Sequence, residues 1–240
     1  MDYLILGNGP SLSTVDWESV RNSTLKVAGV NRSYFIYDEH DFLFLQDPIV
    51  IQEMFDAGMS DKEIRDFRIL TTPYFSKRLQ RDRAQSKITA REFTRTAGLI
   101  AQELVSIIRL SAWSPFSPFT VINLIGFLVH ADQRIFKTKG TKAYNKTKPV
   151  TFYLAGCDLS HSPDNNHFWQ STHEQHSRLS GSGGSNTRQL TRQYHHFKRV
   201  LVRSEFFNFR LVSVTKDAKI NKIIEYEPIN TVLNKHRKRQ

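Results

Sequence analysis

The sequence predicts an α/β chain built on a doubly wound, mostly parallel sheet, and three observations carry that expectation. Apolar runs of strand length recur along the chain, stretches with apolar residues at three- and four-residue steps lie between several of them, and the first run empties directly into a glycine turn. Strands alternating with helices bury both faces of a parallel sheet and gather ligand sites at the carboxyl ends of the strands.

In chain order, residues 2–6 read as a short buried strand, followed by strands over 25–29, 42–45, 67–70, 150–155 and 209–214. Residues 88–110 carry helical apolar spacing, with Gly98 as the weak point, and 121–131 form a second apolar helix. Two segments break the alternation. Residues 71–87 are basic and polar, and 161–185 are rich in His, Ser, Asn and Gly; both read as loops near a ligand, and the second has the length and composition of a flexible lid. The helix that follows has Leu190, Tyr194, Phe197 and Leu201 on one side and Arg188, Arg192, His195, Arg199 and Arg203 on the other, an apolar face opposed to a basic stripe. The organisation expected is one domain over 1–234 with a basic tail at 235–240.

The chain's 240 residues, 39% of them hydrophobic, supply a sizeable core. No apolar run reaches the ~18 residues of a membrane span, and the N-terminus lacks the order of a secretory leader. Cys157, the lone cysteine, excludes an internal disulfide and a cysteine-based zinc site, which points to a reducing compartment, the cytoplasm. Thirty-four Lys and Arg against 23 Asp and Glu give a formal charge of +11, a field that attracts nucleic acid or an anionic surface. The positive charge gathers at 77–95, at 137–148 and in the tail.

"ILGNGPSL", residues 5–12, joins the first strand to a helix start. A glycine turn there lets backbone amides approach an anion without Cβ interference, and a helix start adds partial positive charge. Gly7 and Gly9 supply the turn, Pro10 stiffens it, and Ser11 offers a hydroxyl for a phosphate or a cap. The third glycine of a dinucleotide fingerprint is replaced by Leu12, so a Rossmann oxidoreductase is a poor match.

Together with "VAGVNRSYF" (27–35), "FLFLQDP" (42–48) and "FYLAGCDLS" (152–160), the opening motif resembles, in order and spacing, the bacterial lipooligosaccharide sialyltransferases and the related motility-accessory and pterin-pyrophosphokinase-like proteins. The resemblance implies a single-domain nucleotide-binding glycosyltransferase fold that works without a metal and grips the nucleotide of a sugar donor. By the same resemblance Gly7, Asn8, Gly9 and Ser11 hold donor phosphate and ribose, and Asn31, next to Arg32, contacts the nucleotide. Gln46 replaces an asparagine before the family's proline, with Asp47 inserted. Ser117, Gly156, Asp158 and Ser160 complete the matched positions. Two departures concern the chemistry: the family's lid tyrosines are absent from 160–169, and no histidine precedes Asn186-Thr187 where the family has its base.

Glycosyl transfer to a hydroxyl needs a base near the acceptor and stabilisation of the departing phosphate. His176 and Asp158 rank first among the candidates, with His167 and Asp47 behind them. His173 and His176 have metal-compatible spacing, but no third ligand accompanies them, so no metal and no cofactor beyond the nucleotide sugar are expected. The charge makes DNA the leading acceptor, as hydroxymethylated pyrimidines of phage DNA in a host cytoplasm, with Arg78, Arg81, Lys142, Arg188, Arg192 and Arg199 on the backbone and aromatic side chains around an extruded base. A glycan sialyltransferase and a non-catalytic nucleic-acid-binding module are the alternatives. Oligomeric state is not set by the sequence.

Overall fold

Parallel strands need both faces covered, and the first strand shows in four residues how this chain does it. The computed structural model describes residues 2–45, 49–59, 69–71, 149–158 and 209–238. Within them β1 (Tyr3–Leu6) sends Tyr3 and Ile5 to one apolar layer and Leu4 and Leu6 to the other. The remaining strands are β2 (Lys26–Val30), β3 (Phe42–Leu45), β4 (Ile69–Thr71), β5 (Val150–Ala155), β6 (Phe209–Ser213) and β7 (Glu225–Tyr226). They form a seven-stranded sheet in the order β4-β3-β2-β1-β5-β6-β7, and every pairing is parallel. The expected α/β class is therefore the one found.

The order reverses at β1: three strands are laid down on one side, after which β5 returns to its other side. In open parallel sheets such a reversal opens a crevice at the carboxyl ends of the two flanking strands. Here those strands are β1 and β5, followed by the two expected glycine turns.

On the layer lined by Leu4 and Leu6, α1 (Trp17–Arg21) contributes Val20 and α3 (Ile229–Lys235) contributes Val232 and Leu233. Asp16 caps α1, its carboxylate accepting from Ser19 N at 3.2 Å and Ser19 Oγ at 2.7 Å. On the other layer Ala218, Ile220 and Ile224, from the segment after β6, pack with Phe44, Phe152 and Leu211. Full burial of each such side chain stabilises the fold by about 1.5–3 kcal/mol before chain entropy is counted. A further helix, α2 (Ile49–Asp56), follows β3.

Predicted strand bounds move by one or two residues. The strand placed at 67–70 is Ile69–Thr71, and that at 25–29 is Lys26–Val30. Three elements were not anticipated, α2, β7 and α3. Residues 235–238 of the basic tail run on from α3 along the amino edge of the sheet. Arg237 bridges Ser23, Thr24 N donates to His236 O at 2.7 Å, and Lys238 Nζ reaches Arg21 O at 2.7 Å. The helices expected at 88–110 and 121–131, the lid at 161–185 and the basic-stripe helix lie outside the described residues.

Candidate active site

The turn after β1 and the turn after β5 are locked to one another. Gly7 N donates to Ala155 O at 2.7 Å and Gly9 N to Gly156 O at 2.8 Å, extending the parallel pairing beyond the strand ends. The glycines are required by that approach. A Cβ on Gly7 would overlap the Gly156 carbonyl, and one on Gly9 would overlap the Asp158 carboxylate. Gly156 has φ 65°, and a Cβ there would lie 2.6 Å from Leu12 Cγ.

Ser11 seals the junction. Its amide donates to Asp158 Oδ2 at 3.2 Å and its hydroxyl to Asp158 Oδ1 at 2.6 Å, and Ser11 Oγ lies 3.1 Å from Thr215 Oγ1 at the end of β6. Leu12 N turns back to Gly9 O at 3.2 Å. The sequence expectation that the amides of Gly7, Gly9 and Ser11 cradle a phosphate is corrected on this point. These amides bond within the chain, and what approaches the glycine backbone is the chain's own second turn. The Ser11 hydroxyl is likewise engaged by Asp158. Asn8, half-buried, lies between the two glycines of the first turn.

Asn31, at the end of β2, is one of two described non-glycine residues with positive φ, at 47°. Asparagine tolerates this left-handed region better than most residues, and such backbone is concentrated at ligand sites. The next residue, Arg32, forms a two-pronged ion pair with Glu53 of α2, Nε to Oε2 at 2.8 Å and Nη2 to Oε1 at 2.6 Å, with 13% and 5% of the side chains exposed. Its planar fork suits that carboxylate. Beneath it Ser33 Oγ lies 3.2 Å from His40 Nε2, in a space left by Gly29. Burial pushes the His40 pKa down to about 4, so this histidine is neutral near pH 7.

Cys157 is buried in the apolar layer, and burial, with the neighbouring Asp158 carboxylate, pushes its thiol pKa up, which makes it inert. Among the described residues no group of three or more His, Cys, Asp or Glu is placed to hold a metal, and no helix is long and apolar enough to cross a membrane.

The structure thus brings Gly7, Asn8, Gly9, Ser11, Gly156 and Asp158 into one cluster beside Asn31 at the carboxyl edge. Gln46, Asp47, Ser117, Ser160, His167, His176, Arg78, Arg81, Lys142, Arg188, Arg192 and Arg199 lie outside the described residues. Thr215 belongs to the cluster and was missed in the sequence. Its signal was the polar run Thr215-Lys216-Asp217 at the carboxyl end of a predicted strand.

The fold and the position of this cluster define an open α/β protein with a ligand crevice at its topological switch point. No protein family and no curated protein matches the sequence. Among solved structures, the chain resembles the Campylobacter jejuni sialyltransferase CstII in complex with the substrate analogue CMP-3FNeuAc, with a TM-score of 0.50 at 13% identity over 100% of this chain and 90% of that one. It resembles monomeric CstII with a TM-score of 0.50 at 12% identity over 95% and 86% of the two chains. A point variant of the same enzyme in complex with CMP gives 0.50 at 13% identity over 95% and 87%. The fold implied by the motif resemblance is the fold the chain has.

Proposed function

We propose that this chain is a glycosyltransferase that takes its sugar from a CMP-linked donor and transfers it to a glycan hydroxyl, in the manner of a sialyltransferase. One observation carries the reading. The motif stretches after β1, β2 and β5 converge at the switch point of a fold shared with CstII, and structures of that enzyme hold CMP or a CMP-sugar analogue.

In this reading Asn8 and Asn31, rather than the glycine amides, hold the nucleotide, and Asp158 acts on Ser11 as a positioning residue. The acceptor oxygen bonds to the sugar's anomeric carbon as the bond to the CMP phosphate oxygen breaks. The hydroxyl proton passes to a base, for which His176, His167 and Asp47 remain the candidates. The reaction proceeds without a metal.

DNA no longer leads as the acceptor. The basic stretches that suggested it, 77–95, 137–148 and the stripe over 188–203, lie outside the described residues, whereas the likeness in fold is to a sialyltransferase. A thermal-shift panel of CMP, UDP and GDP sugars tests the donor. A micromolar ligand at millimolar concentration stabilises by about 4 kcal/mol, so CMP and CMP-sialic acid are expected to raise Tm clearly and the others to have little effect. Transfer to a lactoside, unchanged by EDTA and by added DNA, tests the rest. Absence of any CMP-dependent shift overturns the reading, and transfer to hydroxymethylated DNA in place of the lactoside restores the other acceptor.

A further inference from the structure

Of the cations on the amino edge, Arg21 pairs with Asp38 and Glu39, Lys26 with Asp41, and Lys238 reaches the Arg21 carbonyl, while Arg237 is exposed and held by its backbone bridge to Ser23. The segment after β6 differs. Lys216, Lys219 and Lys222 are exposed, and among the described residues none of them has an ion-pair partner. Three lysines face one aspartate in this stretch, Asp217, itself exposed and at φ 59°.

This charge stands on a fixed base. Ile220 is fully buried and Ala218 is 6% exposed, which anchors the segment in the apolar layer beneath the sheet. Lys219 N donates to Asp158 O at 3.1 Å, Asn221 Nδ2 donates to Thr215 O at 3.0 Å, and Thr215 Oγ1 meets Ser11 Oγ. Ser11 gives its single hydroxyl proton to Asp158, so Thr215 is the donor in the Thr215–Ser11 bond. Thr215 therefore fixes the segment to the turn after β1. Lys219–Lys222 is one turn of 3₁₀ helix, which brings the first and last lysines to the same side.

From this arrangement we infer that the Thr215–Lys222 segment is the anion-reading wall of the donor site. Its lysines hold the phosphate of the donor, and Thr215 is the positioning residue that sets their register against Ser11 and Asp158. The inference rests on the CMP-donor reading and adds to it the source of the site's positive charge. Among the described residues, Asn8, Asn31, Ser11 and Asp158 offer no cation to an anionic donor.

The experiment is calorimetric titration of the full chain with CMP and with cytidine at low and at high salt. It compares the wild type, the triple variant Lys216→Gln, Lys219→Gln, Lys222→Gln, and the single variants Thr215→Val and Thr215→Ser. Three exposed charge contacts together are expected to contribute about tenfold in CMP affinity. The triple variant should lose that factor and most of the salt dependence, because only exposed charge is screened, while its affinity for uncharged cytidine and its Tm stay at wild-type values. Thr215→Val should weaken CMP about threefold, on the scale of one hydrogen bond, and Thr215→Ser should restore it. If the triple variant binds CMP as the wild type does at both salts, or if cytidine weakens as much as CMP, the inference fails and the donor reading stands. If the wild type binds neither ligand, the donor reading fails and takes the inference with it.

Discussion

At the amino edge of the sheet, Asp2 accepts from Thr151 N at 2.9 Å and faces His236 at 3.6 Å, Asp41 holds both Lys26 and Val27 N, and the segment through Lys238 runs across the loop at residues 22–24. At the carboxyl edge, two glycine turns, a carboxylate and two hydroxyls bond to one another, while Asn31 holds a left-handed backbone and three lysines stand without partners among the described residues. Both edges consist of ordinary polar residues. They differ in what is left over once internal bonds are counted: three clustered lysines and a left-handed backbone at one end, the single exposed Arg237 at the other. Function is therefore sought where the remainder is, and the internally satisfied glycine turn serves as scaffold for it.

The comparison breaks most visibly at Arg32. Arg32→Ala removes the two-pronged cation from the Glu53 carboxylate, which is 5% exposed, and unfolding in urea should show a loss of about 3–5 kcal/mol. A variant that melts normally but loses CMP binding would place Arg32 at the donor site.

Next in size is the acid response of His40, which lies between the two edges. Its folded pKa of about 4 is below the ordinary 6.5, so below pH 6.5 the unfolded chain binds the extra proton. Stability from this group is complete above pH 6.5 and is lost as pH falls toward 4, on the order of 3 kcal/mol in all. His40→Gln should flatten that part of the pH–stability curve, and an unchanged slope would place the titration elsewhere.

Gly7→Ala then tests whether the first turn is scaffold. The new methyl meets a backbone carbonyl that cannot rotate away, at a cost of about 1–3 kcal/mol in denaturant titrations. Smaller still is Asn31→Gly, which keeps the left-handed backbone without its Cβ strain. Tm should change little and the CMP-dependent shift should vanish; a retained shift would move the nucleotide contact away from Asn31. Smallest is Lys26→Met on the amino edge, about 0.5 kcal/mol or less for an exposed pair, with no effect on CMP binding.

The six strands read from the sequence were legible because each is an apolar run, and a buried parallel strand needs little else to mark it. The seventh, Glu225-Tyr226, is two exposed residues with no pattern to read. The helix at Ile229–Lys235 did carry a signal, since Ile229, Val232 and Leu233 fall at three- and four-residue steps, but seven residues beside a basic run read as tail. In the candidate site, Asn8, Asn31 and Asp158 were legible as types at strand ends. Their roles were not. A glycine turn that admits a phosphate and one that admits a neighbouring carbonyl have the same sequence, and only the contact with Gly156 tells them apart. The Arg32–Glu53 pair was not legible, because Glu53 lies 21 residues further on in a separate helix.

The Ser11–Asp158 bond spans 147 residues, and the Ser11–Thr215 contact spans 204. Ordering so distant a pair is slow and comes late in folding. A chain emerging from the ribosome thus carries its first motif long before the partners that shape it exist. Fragments ending ahead of β5 should be blind to nucleotide, and activity should switch on only once synthesis has passed β6.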